Sequence, residues 1–142
     1  MASASAMTLI EQLIRDNWVY CDDIRAFDFD SEPEVPATVK AFAEITFPVD
    51  ADETQKSWGS PGNNVYREEG GFRFRVFVPR VEDLRTWVQR MDELRDVLRT
   101  YRDNPNGLRI HEVPPASITS RSEIKGYREL SIGVDYILDI HR

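Results

Sequence analysis

Hydrophobic residues alternate with polar ones in three stretches of the chain and recur at helical spacing in two others. Over residues 38–47, Val39, Ala41, Ala43, Ile45 and Phe47 share one side. Thr38, Lys40, Phe42, Glu44 and Thr46 share the other. That period of two predicts a strand with one dry face, stopped by Pro48. Phe72, Phe74, Val76 and Val78 repeat the pattern against Arg73, Arg75 and Phe77, so the second face of this strand is cationic and aromatic. The last strand, from Tyr127 to Ile140, sets Leu130, Ile132, Val134, Tyr136, Leu138 and Ile140 against Glu129, Ser131, Gly133, Asp135 and Asp139.

The helical stretches follow a different period. Leu9, Ile10, Leu13, Ile14 and Trp18 fall on one face, and Thr8 with Glu11 forms a capping-box word in front of them. Residues 1–7 ahead of this start hold little apolar surface and are expected to fray as an arm. A longer helix from Val81 to Tyr101 carries Leu84, Trp87, Met91, Leu94 and Leu98 on a seam wide enough to cover a sheet. Glu82 and Asp83 near its start and Arg95, Arg99 and Arg102 near its end complement the helix dipole. Asn104-Pro105-Asn106-Gly107 stops it.

Between these elements the signals are weaker. Asp22 to Pro36 reads as an extended acidic connection anchored by Phe27 and Phe29, without the glycine and terminal glutamate of an EF-hand loop. Residues 49–63 read as a long polar loop. Gly70-Gly71 suits the turn of a hairpin joining residues 64–68 to 72–78. Leu108 to Val113 is a short strand candidate, followed by a polar connection from Ala116 to Gly126. The expected product is one α+β domain over residues 1–142. Its antiparallel or mixed sheet has about four to six strands, covered by the N-terminal helix and the long amphipathic helix.

Composition narrows the functional classes. A formal net charge of -7 opposes a surface that grips nucleic acid through phosphate neutralisation, yet it suits a surface past which DNA slides. Cys21 is the only cysteine, so no intramolecular disulfide forms. Met1 to Met7 lacks the charged and apolar regions of a secretory signal, and no apolar run approaches a membrane span. Gly70-Gly71 opens a strand rather than a helix, so no phosphate-cradling motif is present. His111 and His141 lack zinc-ligand spacing, and a Cys21–His111 nucleophilic pair is no more than two residues of the required types. The expectation is a protein without cofactor, metal or catalytic activity.

The order of elements and several local words resemble the tail terminator, or tail-completion, proteins of long-tailed phages and related gene transfer particles. The words are Ala37 to Phe47 (ATVKAFAEITF), Gly71 to Pro79 (GFRFRVFVP) and the final strand from Tyr127 to Ile140. The resemblance implies a homo-oligomeric ring, typically of six copies, in the virion. Such a ring caps the tail tube, meets a neck or head-completion protein, and lets DNA pass without specific binding. It also implies synthesis in the host cytoplasm. On this reading Asp50, Asp52, Glu53, Lys56 and Trp58 of the 49–63 loop face the tube or lumen, and Arg73, Arg75 and Phe77 serve subunit contact. The alternative for Trp58 is an indole folded back on the core, and for the two arginines it is cross-strand pairing with Glu44 or Glu68, which the residues favour over subunit contact. Another neck or head-completion ring, or a small acidic binding module of the immunity type, are the alternative functions.

Overall fold

The structure, a computed structural model, describes residues 2–26, 38–48, 50–102, 106–119 and 125–142. Two strands of equal length form its spine. Strand β4 (Val65–Pro79) and strand β7 (Tyr127–His141) pair antiparallel along all 15 residues, from Val65 opposite His141 to Pro79 opposite Tyr127. Strands β2 (Phe42–Thr46) and β3 (Asp52–Ser57) lie one after the other on the outer side of β4, opposite residues 73–77 and 65–69. Strands β5 (Leu108–Glu112) and β6 (Ser117–Thr119) share the outer side of β7 in the same way. Strand β1 (Ile24–Ala26) adds to β2 in parallel, which makes the seven-stranded sheet mixed. The fold is α+β, with more strands than the sequence pattern predicts.

Even-numbered residues of β4 and β7 turn to one side. There Phe72, Phe74, Val76, Leu130, Ile132 and Val134 meet Ile10, Ile14, Trp87, Met91, Leu94 and Leu98 from the two helices in one continuous core. Helix α1 runs Ala4–Asn17 and helix α2 runs Leu84–Arg99. The α2 seam agrees with the pattern, but the helix begins later than expected. Asp83 caps it, accepting from the Arg85 N–H at 3.2 Å and from the Thr86 hydroxyl at 3.1 Å, and leaves Val81 outside.

Three sequence expectations change. The N-terminal residues do not form an arm. Ser3 caps α1 by accepting from the Ala6 N–H at 3.2 Å, while Thr8 lies inside the helix with its hydroxyl donating to the Ala4 carbonyl at 2.9 Å. Ala2 and Ala6 are buried, so small side chains let this turn sit against the sheet. Gly70-Gly71 is no turn: both lie within β4, opposite Tyr136 and Asp135. A Cβ at Gly70 would stand 2.7 Å from the Tyr136 hydroxyl, so the glycine makes room for a side chain on the neighbouring strand.

The hairpin exists, displaced by some residues towards the N-terminus. It joins β3 to β4 through residues 58–64, where Gly62 takes φ 91° and the Asn63 N–H donates to the Ser60 carbonyl at 2.8 Å. The described part of the 49–63 stretch is therefore largely a strand and its turn, because its backbone pairs with β4 while its polar side chains need no core. The part of the acidic connection that holds Phe27 and Phe29, together with Asn104-Pro105 and residues 120–124, lies outside the described residues. No helix among the described residues is long and apolar enough to cross a membrane.

Candidate functional site: the second face and the β3 edge

Both helices pack on the even-numbered side, so Arg73, Arg75 and Phe77 lie on the opposite, odd-numbered side of β4, whereas the other sequence-predicted residues lie on or beside β3. The cross-strand register decides their partners. Glu44 stands opposite Arg75, whose Nη2 donates to Glu44 Oε2 at 2.8 Å while Nη1 lies 3.6 Å from Glu129 Oε1. Phe77 stacks on Phe42 at 4.8 Å between ring centroids, and Tyr127 meets Phe42 edge-on at 5.5 Å. All three aromatic residues are buried, as is Glu44. Phe77 and Arg75 are thus taken up within the chain: the ring fills a second small core and the guanidinium is held between two carboxylates. Arg73 differs. It is exposed, between Thr46 and Gly133 in register, with no side chain at 133 to shade it.

Further along the same face, a shallow cavity of about 400 Å³ opens over Gly71. Asp50, Asp52, Glu69, Asp135 and His111 border it. Asp52 is opposite Glu69 in register, and Asp135 is opposite Gly71. The sequence singled out Asp50 and Asp52 but missed Glu69, Asp135 and His111, which reach the same place through β4, β7 and a register shift in β5. No spacing along the chain signals that meeting. Glu53 is opposite Glu68 and so belongs to the helix side. Lys56 is exposed near the end of β3, and Trp58 follows it with 84% of its surface open to solvent.

The helix side holds a buried polar group, Glu68, which faces away from Arg73 and Arg75 and does not pair with them. Glu68, only 2% exposed, accepts from the Tyr136 hydroxyl at 2.6 Å and from the Ser3 N–H at 3.4 Å. A carboxylate at the start of α1 is favoured by the helix dipole as well as by those two donors. Burial, then the bond to Glu68, pushes the Tyr136 hydroxyl far above its usual titration range. On the second face, Arg67 donates to both oxygens of Asp139, at 2.8 and 3.2 Å, and Arg109 adds a third bond at 3.1 Å. The Arg67 bond holds the Asp139 carboxyl below its ordinary value.

Chemistry by nucleophile and base finds no assembly among these residues. Cys21 lines a cavity beside α2, with its thiol pushed up to about 11 by burial, whereas His111 lines the acidic cavity on the opposite face. No group of three or more His, Cys, Asp or Glu among the described residues is arranged to hold a metal ion. The arrangement offers surfaces for contact: an acidic face, an exposed arginine, and a polar edge strand tipped by an indole.

No family model and no curated protein matches the chain. Solved structures do match, 21 chains among them. One, of a protein without a descriptive name, is 16% identical with a TM-score of 0.49, and the match covers 93% of this chain and 97% of that one.

Proposed function

We propose that the protein is a structural subunit of a tailed particle, forming a ring at the end of the tail tube and joining it to the neck. The observation that carries this reading is the β3 strand and its turn, which lie at the sheet margin and present Asp52, Glu53, Lys56 and Trp58 to solvent. A polar margin of this kind is maintained without a core of its own and is suited to protein contact. The acidic cavity beside it, and the net charge of -7, suit a surface facing passing DNA, since like charge does not retain a polyanion. The resemblance of the strand and hairpin words to tail terminator proteins supplies the place in the particle. Arg73 is the sequence-predicted contact residue on the second face that stays exposed, so subunit contact on that face centres on it.

The test is genetic. Deleting the gene from a particle-producing host should leave filled heads and unjoined tails of irregular length, counted by electron microscopy and restored by the wild-type gene in trans. Normal, infectious particles from the deletion would refute the reading, and a purified chain that binds one host protein and ignores tails would favour the acidic binding module.

A further inference from the structure

Asn106-Gly107 is the one asparagine–glycine pair in the chain. It lies in the turn between α2 and β5, with Asn106 exposed to solvent. Glycine is required at its second position: Gly107 takes φ 83°, and a Cβ there would run into the Asp139 carbonyl oxygen. An asparagine followed by glycine is chemically labile, because no side chain shields the next backbone nitrogen from the carboxamide carbon. The fold therefore retains a labile pair whose second residue it cannot exchange.

The turn also restrains that pair. Asn106 Oδ1 accepts from the Leu108 N–H at 3.1 Å and Asn106 Nδ2 donates to the Tyr101 hydroxyl at 3.1 Å, so both ends of the carboxamide are held. The main chain around it is pinned as well. The Gly107 carbonyl accepts from the Asp139 N–H at 3.2 Å, and the Tyr101 carbonyl accepts from the Ile110 N–H at 2.8 Å. Turning the carboxamide onto the Gly107 nitrogen breaks the two side-chain bonds, and moving Gly107 to meet it breaks the bond to Asp139.

We infer that Asn106 is a site of intramolecular deamidation, held off by these bonds in the closed turn and released when the turn opens. The Gly107 nitrogen attacks Asn106 Cγ, the bond from Cγ to Nδ2 breaks, and Nδ2 leaves as ammonia with the proton that Gly107 gives up. A succinimide ring remains. One water from solvent then opens the ring at either carbonyl, giving aspartate or isoaspartate. The two products fit the turn differently. Aspartate keeps one oxygen for the Leu108 N–H and offers the other to the Tyr101 hydroxyl, so the closed turn re-forms. Isoaspartate adds one atom to the main chain ahead of Gly107, which draws Gly107 away from Asp139 and loosens the start of β5.

The test follows the full-length chain in heavy-oxygen water at neutral pH, folded in one sample and unfolded by urea in another, with peptide mapping by mass spectrometry. Label should enter at residue 106 in both samples, about tenfold or more slowly in the folded one, where the turn must open first. Tyr101→Phe keeps the ring against the core and removes one restraint on the carboxamide. Its circular dichroism should match wild type, its folded-state rate should rise roughly fivefold, the worth of one neutral hydrogen bond, and its rate in urea should not change. Label that enters folded and unfolded protein at one rate, label absent from residue 106 of the folded chain however long the incubation, or a folded Tyr101→Phe variant that converts no faster than wild type would each overturn the inference.

Discussion

Tyr136 carries more of this fold than its place in an apolar pattern implies. Its ring lies in the core, and its hydroxyl supplies the shorter of two bonds to the buried Glu68. Tyr136→Phe keeps the ring and leaves that carboxylate short of a donor, which should cost about 1–3 kcal/mol. Gly70→Ala should act on the same bond from the other side, because the new Cβ would meet the Tyr136 ring and hydroxyl at 2.7–3.0 Å. Urea denaturation of the two single variants and the double variant checks this. The losses should be clearly less than additive if they break one interaction. The sequence shows Tyr136 as a core residue and Gly70 as a turn residue. Only the pairing of two strands that are 66 residues apart at this register pair reveals that each exists for the other.

At the scale of elements, the strands are tied by charge as well as by backbone. Arg67 of β4, Asp139 of β7 and Arg109 of β5 form one ladder across three strands. Since the folded Asp139 carboxyl titrates below its unfolded value, its contribution is complete above the unfolded value near pH 4 and is lost as pH falls through the folded value. Asp139→Asn should therefore be less stable than wild type at pH 7, with the difference shrinking as pH is lowered below about 4. Urea midpoints across that range check the sign, and a difference that grows on acidification would refute it. The helices were legible because their period is local: the α2 seam is where the pattern predicts it, although the caps are Ser3 and Asp83 and not the residues the sequence suggested. The β3 strand was not, because its polar residues bear no alternation, and its pairing with β4 is what makes it a strand.

At the scale of the molecule, the β4–β7 pair is the structure on which all else is hung. Strand β3 sits at its margin with largely exposed side chains, while β4 and β7 are flanked on both sides over much of their length. Native-state hydrogen exchange should accordingly be slowest at Phe72–Val78 and Leu130–Tyr136 and orders of magnitude faster at Asp52–Ser57. Equal protection in β3 of the free monomer would contradict this ranking.

The sequence by itself determined the class of fold, the two helices, the dry side of β4 and β7, and an acidic surface. Each of these follows from composition or from a period of two or 3.6 residues, and such signals lie within a few neighbouring positions. Strand β2, expected to have one dry face, is buried on both, and Val39 of the expected dry face is exposed. The tertiary structure alone decided that Gly70-Gly71 lies inside a 15-residue strand and that Phe77 and Arg75 are engaged within the chain. The reason is register. Which side chains meet across a sheet depends on how strands far apart in the chain align, and no local pattern records that alignment.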